Sequence, residues 1–265
     1  MRTFLFSAAY WTLSTIYVLV ALPFMLLPGR GAVRAIIKSY TRAMNLALRH
    51  LAGIKKEVRG RENLPDGPFI VAAKHQSWGD GFLVYPEIDD LSFVTGDHLE
   101  KLPLVGGILR KLGAIVIDTC GGGERKAQSL VKGMQLAKAE GRRVLIYPEG
   151  HLAPVGAHFK YKSGVWHMAR AMDVPVVPVA TNLGVFWQQE ETDKRQGTAV
   201  IEFLEPLDAC ESKADFLDTL THVVETRTAQ LVAEARGGDV IVAQLIPDPQ
   251  KGTLAKLPKV NAPAE

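Results

Sequence analysis

From residue 54 onward, short apolar runs alternate with segments of helical spacing, and no other feature of the chain restricts its fold as much. The runs predict strands near Ile54–Arg59, Phe69–Ala73, Ser92–Thr95, Ala114–Ile117, Val144–Tyr147, Val176–Ala180 and Ala199–Leu204. The periodic segments predict helices near Gly81–Tyr85, Pro103–Leu112, Glu124–Glu140, Gly164–Met172 and Lys213–Ala235. Alternating strands and helices imply an α/β fold with a largely parallel central sheet flanked by helices. In such sheets the loops at the carboxyl ends of the strands build the site. Lys74–Asp80, Asp118–Gly123 and Pro148–His158 each follow a predicted strand, so three loops are expected to gather along one sheet edge.

Residues 1–53 are of another kind. Thr3 to Pro28 carry no ionisable side chain except Tyr10 and Tyr17. A run of about 25 apolar residues is long enough to cross a hydrocarbon core as a helix. A signal peptide would end in small residues at a cleavage site. Here the run continues through Met25-Leu26-Leu27 into Pro28. Over 31–52, Val33, Ile36, Ile37, Tyr40, Met44, Leu48 and Leu51 recur at helical spacing, with Arg34, Lys38, Arg42 and Arg49 on the remaining surface. A basic amphipathic helix of this kind suits an anionic membrane surface. The expectation is two membrane-associated helices over 1–53, apolar at 3–28 and basic amphipathic at 31–52.

A chain of 265 residues can bury one sizeable core. Its net charge of +3 is too mild to argue a nucleic-acid partner. Cys120 and Cys210 have neither metal-ligand nor disulfide-framework spacing, so no metal site is expected and a reducing compartment is the default. From Pro247 to Glu265 the chain is rich in Pro, Lys and Ala without apolar period, which predicts a disordered tail after an α/β domain over 54–246.

The chemistry concentrates in ordered blocks. Lys74-His75-Gln76-Ser77-Trp78-Gly79-Asp80 puts a histidine and an aspartate just past a buried strand. The pair can meet only if His75 lies in the turn and Asp80 in the first helical turn. An imidazole oriented by a carboxylate suits a general base. Then come Gly113-Ala114-Ile115-Val116-Ile117-Asp118, Tyr147-Pro148-Glu149-Gly150, and Val174-Pro175-Val176-Val177-Pro178-Val179. With these four blocks in order over about residues 55 to 205, the chain resembles the 1-acylglycerol-3-phosphate acyltransferases, bacterial type, and their glycerolipid acyltransferase relatives.

That resemblance implies acyl transfer from acyl-carrier protein or acyl-CoA to the free sn-2 hydroxyl of 1-acylglycerol-3-phosphate, forming phosphatidate. No cofactor beyond the donor thioester is implied. It makes membrane lipids, a lysophospholipid acceptor and the donor the partners. It places the enzyme on the inner (cytoplasmic) membrane of a bacterium, with the catalytic domain on the cytoplasmic face. His75 would take the acceptor hydroxyl's proton and Asp80 would hold its ring. Glu149 and Gly150 match the glutamate and glycine of the family's Phe-Pro-Glu-Gly-Thr-Arg, whose glutamate contacts the polar acceptor. This chain departs with His151 and Leu152, and Thr119 stands where the family usually carries another arginine. Those two arginines are the ones expected to hold the acceptor phosphate. Arg125, opening a predicted helix after Gly121-Gly122-Gly123, and Lys160 and Lys162, in a stretch similar to the family's Phe-Lys-x-Gly, are the replacement candidates, with Lys126 and His158 nearby. Two alternatives remain: an acyltransferase acting on another lyso-lipid such as lyso-ornithine lipid, and a serine hydrolase using Ser77, which sits where a nucleophile elbow would. The elbow's first glycine is His75 here.

Overall fold

The computed structural model describes residues 2–102, 104–117, 123–189 and 194–249, with the side chains of 97–98 and 123–129 outside the description. Two N-terminal helices, α1 (Arg2–Phe24) and α2 (Gly31–Ala47), lie side by side. Ser14 pairs with Tyr40 at 2.8 Å and Tyr17 with Ser39 at 2.9 Å. The body then runs β1 (Ile54–Arg59), β2 (Ile70–Ala73), α3 (Asp80–Val84), β3 (Leu91–Gly96), α4 (Asp97–Glu100), α5 (Val105–Leu112), β4 (Ile115–Ile117), α6 (Gly123–Ala139), β5 (Arg143–Ile146), β6 (Ala157–His158), α7 (Gly164–Met172), β7 (Val176–Thr181), β8 (Gly197–Phe203), α8 (Lys213–Arg236) and β9 (Gln244–Leu245).

Seven strands form one sheet in the order β1-β8-β7-β2-β5-β3-β4. The five from β7 to β4 are mutually parallel. β8 returns antiparallel to β7, and β1 lies parallel to β8 at the edge. A parallel neighbour needs a crossover of a dozen or more residues, usually a helix. Residues 182–196 join β7 to β8, and their described part carries one turn, Leu183–Val185, and no crossover helix. β2 and β7 are buried along their whole length, as strands covered on both faces must be. Alternate residues feed opposite faces. Val71, Ala73, Leu145, Val177 and Val179 join one apolar cluster with α2 and α3. Ile70, Ala72, Val144, Ile146 and Val176 join another with α6, α7 and α8.

The N-terminal helices part company in what they bury. Val33, Met44 and Leu48 are buried against the protein, so the apolar face of α2 is closed over by its own domain. Two of its cations are engaged, Arg34 with Asp90 at 2.6 Å and Lys38 with Asp89 at 2.5 Å, and Arg30 just before the helix meets Asp90 and Glu140, while Arg42 and Arg49 are exposed. The expectation that α2 lies apolar side down on a membrane is thereby corrected. An amphipathic helix buries its stripe wherever apolar surface is nearest, and here that is α1, α3 and α5. α1 differs, because only Phe6 and Ala21 are buried. Phe4 is 74% and Trp11 70% exposed, and Leu19 and Leu26 also face outward. It is the one helix among the described residues long and apolar enough to cross a membrane. Of the tail expected over 247–265, residues 250–265 lie outside the described residues and Asp248 lies 3.8 Å from Lys162; just before it, β9 pairs with β6.

Candidate active site

The loops after β2 and β5 meet because their strands are neighbours. The third expected loop, at 118–122, lies outside the described residues, Thr119 included. His75 sits one residue past the last sheet pairing of its segment, where the Lys74 amide donates to Val179 O at 3.0 Å. Both ends of the His75 backbone are held. Its amide donates to Glu149 Oε1 at 3.4 Å, and its carbonyl accepts from the Ala153 amide at 2.7 Å.

Asp80 is the first residue of α3 and is 2% exposed. Its Oδ2 accepts from three donors: His75 Nδ1 at 2.9 Å, the Gln76 amide at 2.7 Å and the Ser77 amide at 2.8 Å. A carboxylate cannot donate, so this contact fixes the tautomer with hydrogen on Nδ1 and leaves Nε2 as the basic nitrogen. The ring lies flat on Tyr147, with centroids 3.9 Å apart and planes 14° from parallel. Burial pushes the Tyr147 phenol up, and the Asp80 charge adds to the effect, so the hydroxyl stays neutral. The imidazole is therefore gripped at Nδ1 and along one face, while the side chain keeps 23% exposure. Gly79 is required here: a Cβ on it would lie 2.7 Å from the Trp187 ring.

Glu149 is placed differently from the expectation. It is completely buried, and its Oε2 accepts from Lys74 Nζ at 3.0 Å and the Phe159 amide at 3.0 Å. The structure turns it inward, because a lysine ends the buried strand β2 and needs an acceptor. Lys74 Nζ also donates to Ala157 O and to Glu225 Oε1 of α8, each at 2.9 Å. Glu225 Oε1 in turn accepts from the Tyr161 hydroxyl at 2.8 Å. Burial, reinforced by the Glu225 charge and opposed by Lys74, pushes the Glu149 carboxyl up to about 7.

Gly150 holds a left-handed φ of +70°, and a Cβ on it would lie 2.8 Å from Lys162 Nζ. Lys162 is half-exposed and faces Asp248. Burial pushes the neighbouring His151 down, as does the positive charge of Lys162. Lys160 is exposed, and the Arg125 side chain lies outside the described residues. Ser77 is fully buried, and its hydroxyl accepts the Gly79 amide at 3.1 Å.

Sequence reasoning missed Lys74, Tyr147 and Glu225. Two left a trace. Lys74 directly continues an apolar strand run, and Glu225 interrupts the apolar stripe of α8 between Val224 and Leu231. The stacking of Tyr147 left none.

Residues 55–182 match the family model described as Acyltransferase. A Pseudomonas aeruginosa protein named 1-acyl-sn-glycerol-3-phosphate acyltransferase is 33% identical over 210 residues, covering 75% of this chain and 77% of that protein. A Saccharomyces cerevisiae protein of the same name is 26% identical over 161 residues, 59% of this chain and 53% of that one. The crystal structure of the 1-acyl-sn-glycerophosphate acyltransferase PlsC from Thermotoga maritima matches with a TM-score of 0.72 at 23% identity, over 88% of this chain and 98% of that one, and shares the fold. By its identity to the Pseudomonas protein and the share of that protein it spans, the chain belongs to the 1-acylglycerol-3-phosphate acyltransferase family and is an acyltransferase.

Proposed function

We propose that this enzyme acylates the free sn-2 hydroxyl of 1-acylglycerol-3-phosphate from an acyl-CoA or acyl-carrier-protein thioester, forming phosphatidate, with His75 as general base. The observation that carries the reading is the locked imidazole, with Nδ1–H on a buried carboxylate and Nε2 free for a substrate. In the reaction Nε2 takes the proton of the acceptor hydroxyl as its oxygen attacks the thioester carbonyl. The new C–O bond forms, the C–S bond breaks, and the departing sulfur takes the proton back from the imidazolium. Asp80 stabilises that imidazolium. The activated acyl group arrives on the donor, so the reaction invokes no cofactor. General-base catalysis contributes about two to four orders of magnitude. His75→Ala should therefore remove most turnover from a folded protein, and near-normal turnover would sink the reading.

The burial of Ser77 favours a substrate hydroxyl over a serine nucleophile. Ser77→Ala should keep turnover within a few-fold, and a fluorophosphonate should leave the wild type unlabelled. A second acceptor reading rests on one contact. Lys162, the described cation beside Gly150, already faces Asp248, and Leu152 supplies no charge. A less anionic lyso-lipid such as lyso-ornithine lipid would suit that setting. Turnover of a panel of lyso-lipid acceptors by purified enzyme separates the two.

The membrane contact of this reading belongs to α1. It meets the domain at both ends: Phe6 packs edge-on to Trp187 at 5.2 Å, and Leu27 O, just past the helix, accepts from Lys111 at 2.5 Å. A helix docked lengthwise lies in the membrane plane, its exposed side in the acyl boundary. We place the enzyme on the cytoplasmic face of a bacterial inner membrane, where thioester donors are made.

A further inference from the structure

The turn that presents His75 is fastened from beneath by a residue far away in sequence. Lys74 Nζ is buried and carries three protons, and three acceptors meet it: Glu149 Oε2, Ala157 O and Glu225 Oε1. The three come from three segments, namely the turn after β5, β6 and the middle of α8. Lys74 and His75 share a peptide bond, so fixing one fixes the backbone of the other. Glu149 adds a direct grip on the His75 amide. Glu225 is itself held by the Tyr161 hydroxyl. A buried ammonium that loses one of its acceptors must move toward another or toward water. Either motion pulls on His75. Glu225 lies outside the matched residues 55–182, so nothing in the family match assigns it a part.

We infer that Glu225 is a positioning residue for acyl transfer, acting through Lys74 to hold the His75 turn against α8. The inference rests on His75 being the base. Glu225 is 6% exposed, so its part is not direct contact with a substrate. Its effect should therefore appear in turnover rather than in substrate binding, since small displacements of a catalytic group cost rate.

The test compares Glu225→Leu, Glu225→Gln and His75→Ala by steady-state kinetics with 1-acylglycerol-3-phosphate and an acyl-CoA, together with urea unfolding from pH 4.5 to 8. Leucine fills the space but accepts no hydrogen bond. Glu225→Leu should lower kcat about tenfold or more and leave both KM values within about twofold. Glutamine keeps an oxygen for Lys74 and Tyr161, so Glu225→Gln should recover kcat to within about threefold of wild type. It also removes one negative charge beside Glu149. The loss of stability as Glu149 ionises should then move to lower pH in Glu225→Gln than in wild type. A folded Glu225→Leu enzyme with wild-type kcat overturns the inference, as does a Gln variant as slow as the Leu variant. Should Glu225→Leu fail to fold, an unshifted pH dependence of stability in Glu225→Gln overturns it alone. An active His75→Ala enzyme would instead remove the base reading on which the inference stands.

Discussion

Replacing Asp80 with asparagine separates two things that a histidine's carboxylate partner can do: fix the tautomer and stabilise the imidazolium. In a Ser-His-Asp triad the Asp→Asn change costs about four orders of magnitude, because the amide turns its NH2 to the ring and the tautomer inverts. Here the site forbids that turn. Three donors converge on one oxygen, Oδ2, and two of them are the backbone amides of Gln76 and Ser77. An asparagine NH2 at that position would face two N–H groups that cannot reorient. The side chain must keep its oxygen there and place its NH2 where Oδ1 stands, a buried atom with no partner. The tautomer survives, at the cost of an unsatisfied donor, about 1–3 kcal/mol of stability.

What is lost is charge. An ion pair at about 4 Å is worth about 4 kcal/mol at an effective dielectric constant of 20. This contact is a hydrogen bond at 2.9 Å with the imidazole partly exposed, so the neutral amide should recover part of that value. A net loss of roughly 3–4 kcal/mol of imidazolium stabilisation lowers kcat about 10²–10³-fold, since each 1.36 kcal/mol is tenfold. The assay is acyl transfer from acyl-CoA at saturating acceptor, with nitrogen-15 NMR of the imidazole to read the tautomer. Asp80→Asn should be slower by that factor, with KM values little changed and hydrogen still on Nδ1. A kcat within tenfold of wild type would refute the electrostatic role. A loss as deep as that of His75→Ala, with hydrogen moved to Nε2, would refute the argument that the two amides hold the orientation.

Glu149, pushed up to about 7 from 4.5 by burial, is neutral in the folded chain and ionised in the unfolded chain across that interval. Its contribution to stability is full below about pH 4.5 and is lost as pH rises through about 7, a difference of about 3 kcal/mol. Glu149→Gln should flatten that part of the profile in urea titrations, and parallel wild-type and variant curves would contradict it. Arg34→Gln with Lys38→Gln should lower Tm and leave vesicle binding unchanged, because both cations face Asp90 and Asp89. Phe4→Ser with Trp11→Ser should do the reverse and weaken flotation with vesicles at least tenfold, since each large apolar side chain buried is worth about 1.5–3 kcal/mol. Lys162→Ala should raise the KM of a phosphate-bearing acceptor and Asp248→Asn should lower it up to about fivefold, an exposed pair being worth about 0–1 kcal/mol. Unmoved KM values in both would place the head group away from Lys162.

The strands and helices were legible because period and burial agree along most of the chain. β1 runs over Ile54–Arg59 and α7 over Gly164–Met172, as their spacing predicts. Strand direction was not legible, since the antiparallel return of β8 depends on what joins it to β7, and periodicity carries no direction. The four-residue α4 is too short to show a period. Meeting of His75 with Asp80 could be anticipated because both lie in one turn. The Lys74–Glu225 contact could not, because it spans 151 residues and neither residue's local pattern names the other. Glu149 misled for a related reason. A carboxylate in a turn after a strand normally faces solvent, and only the buried ammonium of Lys74 makes the interior the better place for it.

Two sets of contacts act on one object. The His75–Asp80 turn is pinned on one side by Lys74, which reaches α8 through Glu225. On the other side Gly79 admits the Trp187 ring, and Trp187 carries Phe6 of α1 edge-on against it. The base is thus tied to the buried Lys74–Glu225 ion pair and, through two aromatic rings, to the exposed apolar helix α1. If α1 lies in the membrane surface, the second tie sets how far His75 stands from the acyl boundary. An acceptor would then need to rise only far enough to present its hydroxyl to Nε2, leaving its chain in lipid. Weakening the aromatic tie, as in Phe6→Ala, should cost turnover on a long-chain acceptor held in vesicles more than on a short-chain acceptor in solution. Equal losses on both would mean that α1 supports the fold of the site and not its height above the membrane.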